Sequence, residues 1–197
     1  MVEWHLYFIN KEMKHLTGFN YPADQFRHGI DQPHIFDNFL EDKKFLRIFD
    51  AMKSQAFPWQ MTKILNDTPE NELTNIQMAH MFYDMFSPED ESIQLLYPLI
   101  EVLDPIAILK IKANVLTKTD TVIEHGLHND IENRIDCPFI KTAIYYMNTC
   151  NGYTKFKDGS KVDSIQNRFV VFPNSWEHTG STTTNSPFRM VININYI

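Results

Sequence analysis

The chain has 197 residues, 43% hydrophobic and 22% charged, ordinary usage for a globular protein that argues against a disordered or low-complexity polypeptide. A formal charge of −7 and the lack of any Lys/Arg run argue against a generic grip on nucleic-acid phosphates or an anionic membrane. Two cysteines, Cys137 and Cys150, are too few for a disulfide framework and read as free thiols of a reducing compartment. The opening residues lack the basic stretch and apolar run of a secretory leader, and no apolar run approaches the roughly 20 residues that span a bilayer. The expectation is a soluble, cytoplasmic protein with neither nucleic acid nor membrane as a partner.

In chain order, residues 1–35 are aromatic-rich but irregular, with a short strand expected at 4–9. From Glu41 onward, Phe45, Phe49 and Met52 recur at helical spacing beside Leu46 and Ile48, which predicts an amphipathic helix. Residues 57–86 fit strands or helical turns equally well. Ser87-Pro88 followed by Glu89, Asp90 and Glu91 reads as a helix start: a capping hydroxyl, a proline at the first position, then acids at the positive end of the dipole. That helix is expected to reach Leu103, with Pro98 kinking or splitting it. After Asp104-Pro105 the period changes to two. Leu109, Ile111, Ala113 and Val115 alternate with Lys110, Lys112 and Asn114, a half-buried strand whose lysines read as its solvated face. Further strands are predicted at 142–148, 154–157, 168–172 and 189–197, separated by turn signals such as Asn151-Gly152 and Asp158-Gly159. With no helix pattern between them, the order implies a mostly β fold with helices (α+β), an antiparallel sandwich or barrel backed by N-terminal helices. No repeat or linker interrupts the chain, so 1–197 reads as one domain, with 1–104 as supporting elements and 105–197 as the β core.

His128-Asn129-Asp130 places an imidazole and a carboxylate on the same side of an extended chain. A third ligand from a distant strand would complete a one-faced His/Asp/His set with open coordination positions. That arrangement suits non-heme Fe(II), whose oxygen chemistry needs vacant adjacent positions. His178 follows the strand ending Val170-Val171-Phe172-Pro173, and Arg189 opens the last strand. On that strand Arg189, Val191, Asn193 and Asn195 face one way and Met190, Ile192, Ile194 and Tyr196 the other. The apolar face must pack on the protein, which leaves the polar face to line a cavity or solvent. An arginine there is placed to bind a carboxylate through a bidentate contact.

These residues, with Ile144-Tyr145-Tyr146-Met147-Asn148, Asn151-Gly152-Tyr153-Thr154-Lys155-Phe156 and His178-Thr179-Gly180, resemble the 2-oxoglutarate- and Fe(II)-dependent dioxygenases, specifically the prolyl 4-hydroxylase-like group. The likeness covers about 106–196, and the compact form is similar to the stand-alone proteins of bacteria and their phages. It implies a double-stranded β-helix (a jelly-roll or cupin-like core), with His128, Asp130 and His178 as iron ligands. It also implies that Arg189 binds the distal carboxylate of 2-oxoglutarate, that Tyr146 supports that carboxylate, and that Asn193 occupies a further cosubstrate-pocket position. The implied activity consumes 2-oxoglutarate and O₂, hydroxylates an unactivated C–H bond and releases succinate and CO₂. Peptidyl proline is the first candidate substrate; other protein side chains, free amino acids and small metabolites remain open. The sequence departs from the family in Asn151-Gly152-Tyr153, where one glycine stands in place of a pair.

Competing readings are a three-histidine zinc site using His125, a catalytically idle β-helix serving as a binding or structural module, and a cupin-like metal enzyme that does not use 2-oxoglutarate. Trp176 reads as a packing residue and Tyr145 as core. His5, His15, His28, His34 and His80 lack metal-ligand spacing and read as surface or core histidines. Lys141, Lys155, Lys157 and Lys161 read as solvated turn charges that would attract an acidic substrate only if they rimmed the site. Glu132 or Arg134 could contact substrate from a loop at its mouth.

Overall fold

The computed structural model describes residues 32–64, 75–131 and 139–197. The strand expected at 4–9, together with Glu132, Arg134 and Cys137, lies outside the described residues.

The first helix, α1 (Asp42–Lys53), forms where the apolar spacing places it, with Phe45, Ile48 and Met52 buried and an acid and a base at the favourable ends of its dipole. Leu46 falls outside that stripe and is 46% exposed. The ambiguous stretch resolves into strands, β2 (Gln60–Lys63) and β3 (Ile76–Asp84), after β1 (His34–Phe36). Ser87-Pro88 does not start a helix. Met85 and Phe86 adopt positive φ values of 43° and 74°, and the chain returns as a two-residue strand, β4 (Ser87–Pro88), paired with β3. The helical start is Asp90, whose Oδ1 accepts the Ser92 N–H at 2.7 Å. A 3₁₀ turn runs over Glu91–Leu96 and passes into α2 (Tyr97–Leu103). Pro98 falls in the first turn of α2, where its missing N–H leaves no bond unmade, so it splits the predicted helix.

The period-two region forms β5 (Ile108–Thr117), β6 (Lys141–Tyr146), β7 (Tyr153–Phe156), β8 (Lys161–Asp163), β9 (Arg168–Pro173), β10 (His178–Gly180) and β11 (Phe188–Tyr196). The short β8 and β10 carry too few residues for an alternating signal, and the sequence pattern did not show them. Strands pair antiparallel in two sheets, a large one in the order β1-β9-β6-β11-β5-β3-β2 and a small one in the order β10-β7-β8. This is the mostly β fold with helices that the pattern implied.

Each face of the large sheet has its own neighbour. Ile111 and Ala113 of β5, Ala143 and Tyr145 of β6, Phe169 and Val171 of β9, and Met190, Ile192 and Ile194 of β11 pack on Phe45, Ile48, Met52, Leu96 and Leu99 from the helical layer. Each such side chain fully buried contributes roughly 1.5–3 kcal/mol. Asn167, at φ 60°, clamps this layer: its side chain exchanges hydrogen bonds with the Leu40 backbone at 2.8 and 3.0 Å and accepts the Tyr145 hydroxyl at 2.6 Å. The opposite face meets the small sheet through a second apolar cluster of Ile144, Tyr146, Phe156, Val162, Val170, Phe172 and Val191, with Trp176 packed against it. No described helix is long and apolar enough to cross a membrane.

Candidate metal centre and anion pocket

Beside that second cluster, between the sheets, lies a cavity of about 400 Å³. His128 and His178 meet across it through a two-residue antiparallel bridge, each backbone N–H donating to the other's carbonyl at 3.0 Å. This bridge fixes the loop carrying His128 to the strand carrying His178. Asn129 donates to the Asn174 carbonyl at 2.8 Å and holds the turn, so that Asp130 points back toward the histidines. Asp130 Oδ1 lies 3.7 Å from His128 Nε2 and 3.9 Å from His178 Nε2, and one ligating atom from each residue falls within 4.8 Å of the others. His125 lines the cavity but is not part of this cluster.

The surroundings of the three groups suit metal ligation. His128 Nδ1 lies 3.1 Å from the Gly126 carbonyl and His178 Nδ1 3.2 Å from the Trp176 carbonyl. A carbonyl only accepts, so each Nδ1 carries the proton and each Nε2 presents a lone pair to the cluster. His178 Nε2 is buried with no hydrogen-bond partner. Burial pushes the His178 pKa down, which keeps the ring neutral and able to ligate. Burial alone would raise Asp130. The charge that His178 and His128 carry when protonated, the Lys110 ammonium and the Asn195 amide outweigh it and hold the carboxyl below its ordinary value. Asn195 Nδ2 donates to Asp130 Oδ2 at 3.2 Å and orients the carboxylate. The donor set, two imidazole nitrogens and one carboxylate, fits a divalent ion.

Arg189 enters the same cavity from β11, 3% exposed. Its Nη2 donates to Thr154 Oγ1 at 3.1 Å, its guanidinium carbon stands 5.6 Å from the Tyr146 ring centroid, and its Nε is buried without a partner. The Tyr146 hydroxyl donates to the same Thr154 oxygen at 2.8 Å. Desolvation lowers the Arg189 pKa and raises that of Tyr146. Among the described residues no carboxylate pairs with Arg189. Two glycines make room for it. A Cβ on Gly152 would lie 2.7 Å from Arg189 Cδ and 2.7 Å from the Thr182 carbonyl, and one on Gly180 would lie 3.1 Å from Arg189 Nη1. The single glycine of Asn151-Gly152-Tyr153 is therefore the one the arginine needs. Asn193 lines the cavity with its Oδ1 buried and unpartnered.

Sequence reasoning missed Thr154, the acceptor shared by Arg189 and Tyr146, and assigned no role to Asn195. It also misplaced two lysines. Lys110 and Lys112 do not lie on a solvated face: both line the cavity, and burial lowers the Lys112 pKa. The lysines read as turn charges are held elsewhere. Lys155 and Lys161 donate to Glu124 at 2.6 and 3.2 Å, Lys157 pairs with Glu177, and Lys141 sits over the Tyr196 ring. Buried Cys150 is a free thiol. Tyr145 is fully buried, and buried His80 bonds the Ser92 hydroxyl at 2.8 Å inside the core.

Solved structures share this architecture. A prolyl hydroxylase from Trichoplax adhaerens, in complex with a peptide fragment of the hypoxia inducible factor oxygen degradation domain, matches with a TM-score of 0.63 and 14% identity over 88% of this chain and 86% of its own. An oxidoreductase of the 2OG-Fe(II) oxygenase family from Burkholderia pseudomallei matches with a TM-score of 0.57 and 14% identity, over 88% and 87%. A viral collagen prolyl hydroxylase from Paramecium Bursaria Chlorella virus-1, in complex with 2OG, matches with a TM-score of 0.52 and 15% identity, over 84% and 96%. No protein-family model matches the chain. No curated protein matches its sequence. What is shared is the fold, the double-stranded β-helix of the 2-oxoglutarate- and Fe(II)-dependent oxygenases, prolyl hydroxylases among them.

Proposed function

We propose that this chain is an Fe(II)- and 2-oxoglutarate-dependent oxygenase that hydroxylates an unactivated C–H bond. His128, Asp130 and His178 hold the metal, and Arg189 and Tyr146 hold the far carboxylate of 2-oxoglutarate. The observation that carries the reading is Arg189, a buried guanidinium without a carboxylate partner among the described residues, in the same cavity as a His/Asp/His cluster. A cation buried in that way destabilises the fold until an anion reaches it. A diacid whose other end meets the metal supplies one.

With iron, 2-oxoglutarate and O₂ bound, the site supplies an oxidation in which one oxygen atom leaves in succinate, CO₂ is lost, and the other oxygen enters the C–H bond as a hydroxyl. The chain's residues orient and exclude. Protonation at Nδ1 keeps both Nε2 lone pairs available, and Asn195 holds the carboxylate of Asp130 in place. Thr154 aligns the Arg189 guanidinium with the Tyr146 hydroxyl, and Asn193 adds a polar contact along the same strand face. Ile144, Leu116 and Val191 line the cavity with apolar surface and limit water. The peptide held by the Trichoplax neighbour supports a peptide side chain as substrate, peptidyl proline first. A free amino acid or small metabolite would also fit a cavity of this size.

The test is a titration with Mn(II) and then 2-oxoglutarate in the absence of O₂, followed by Fe(II)-dependent succinate formation. We expect 2-oxoglutarate to bind in the presence of the metal and Arg189→Met to lose that binding while keeping the metal. Equal 2-oxoglutarate affinity in parent and Arg189→Met would overturn the reading.

A further inference from the structure

Building on the oxygenase reading, we propose that Lys110 and Lys112 form an anion subsite beside the metal cluster, and that the molecule hydroxylated there carries a carboxylate that this subsite holds. Both side chains leave the same face of β5 and line the cavity. Strand register sets Lys112 opposite Asn193 and Lys110 opposite Asn195, the residue that orients Asp130. Lys110 Nζ lies 3.4 Å from the Asp130 backbone carbonyl, so its ammonium stands at the edge of the metal cluster. Neither lysine has a carboxylate within salt-bridge distance among the described residues. Asn114 and Asn193 line the same wall with buried, unpartnered amide oxygens, and either amide can turn its NH₂ toward a ligand.

Charge balance points the same way. Among the described residues the cavity holds three side-chain cations, Arg189, Lys110 and Lys112, and one carboxylate, Asp130. A divalent ion and a doubly negative cosubstrate cancel each other, and Asp130 offsets one of the three cations. Two positive charges are left in a partly desolvated space, which favours an anion and disfavours a neutral or cationic group of the same shape. Arg189 takes the far end of the cosubstrate and the metal takes the near end, so the lysines are left for the third molecule. The cavity, at about 400 Å³, is at the small end of the ligand-pocket range of ~300–1,000 Å³. It accommodates a free acid, or a single acidic segment of a peptide, beside the cosubstrate.

Matched pairs test this. Protein loaded with Mn(II) and saturating 2-oxoglutarate, without O₂, is titrated calorimetrically with L-proline, L-leucine and 3-methylbutanoate, each against its carboxamide. A second arm compares acetyl-Glu-Pro-amide with acetyl-Gln-Pro-amide, which separates a peptide-borne carboxylate from a free one. We expect at least one acid to bind about tenfold or more tightly than its amide partner. Lys110→Met and Lys112→Met should remove the preference, and Lys112→Arg should retain it. Lys112→Met should keep Mn(II) and 2-oxoglutarate affinities within about twofold, because its ammonium makes no hydrogen bond to the metal cluster among the described residues and a thioether of similar length leaves the packing in place. Acids and amides that bind alike, or no binding by any of them, would overturn the proposal. So would a Lys112→Met variant that loses 2-oxoglutarate as Arg189→Met does. Failure of the parent to bind Mn(II) or 2-oxoglutarate is read earlier in the same titration, and it would overturn the oxygenase reading along with the subsite.

Discussion

On the outer face of the small sheet, Glu124 accepts the Tyr153 hydroxyl at 2.6 Å, Lys155 at 2.6 Å and Lys161 at 3.2 Å, and Lys157 is paired with Glu177. On the cavity face of the large sheet, Lys110, Lys112 and Arg189 have no carboxylate partner among the described residues. The same residue types thus serve opposite ends. Paired charges on the outside fix how the small sheet and its neighbouring loop sit. Unpaired charges inside, held at a cost in desolvation, mark where ligands are expected. Net charge could not show this, because a chain of −7 overall still lines its cavity with cations.

The largest effect should come from the metal cluster. On the proposed reading, Asp130→Ala removes the one carboxylate of the cluster among the described residues and should weaken divalent-metal binding by more than the ~10–100-fold typical of losing an outer-shell partner, measured by Mn(II) titration. Retention of metal affinity would detach the cluster from its assigned role. Arg189→Met comes next. It should cost about 2–5 kcal/mol of 2-oxoglutarate binding, yet leave the melting temperature of the ligand-free protein unchanged or higher, because an uncompensated buried charge is replaced by an apolar chain. A fall in melting temperature would show that Arg189 is compensated within the fold. Gly152→Ala places a methyl carbon against the Arg189 stem and the Thr182 backbone, so the arginine must shift. We expect a loss of ~1–3 kcal/mol, read as weaker 2-oxoglutarate binding with metal affinity preserved.

The smallest effect belongs to the outer face. Hydrogen bonds from Lys155 and Tyr153 hold Glu124 at a pKa of about 2 against an ordinary 4.5. A carboxyl depressed on folding adds stability that is complete above its unfolded value and is lost as pH falls toward the folded one. Its contribution should therefore fade between about pH 4.5 and pH 2. Glu124→Gln should lower stability above that window by about 1 kcal/mol at most, since the cluster is open to solvent screening, and should flatten the acid limb of a denaturation-versus-pH curve. An unaltered limb would assign the acid sensitivity to other carboxyls.

Where alternation was long, the sequence was legible. β5 over 109–115 and β11 over 188–196 each show one apolar and one largely polar face, and the structure keeps both faces as written. The polar face of β11 is legible as a wall of a cavity or solvent, because the apolar face opposite it must pack on the protein. The same argument applies to β5, its hydrogen-bonded neighbour: if the helices cover the apolar face, the lysine face must look into the same space. It was read as solvated because lysine usually is, and only the pairing of β5 with β11 shows otherwise. The Ser87-Pro88 misreading has a different cause. Positive φ at Met85 and Phe86 makes a hairpin that neither residue type advertises, and the cap moved to Asp90. Thr154 was out of reach for a third reason. A threonine in a strand is ordinary, and its importance lies in which two side chains arrive beside it.

The strand that carries Arg189 also joins the two halves of the large sheet. β11 lies between β5 and β6 and follows both in the chain, so β1, β9 and β6 on one side remain separate from β5, β3 and β2 on the other until it inserts. Until that step the facing edges of β5 and β6 would lack the strand that pairs with both. Such non-local closure belongs to the slow end of folding, ~milliseconds to seconds, and leaves a window in which part-sheets can meet edges of other copies. Dilution or low temperature during refolding should raise the yield of active protein more than any change to a single buried side chain.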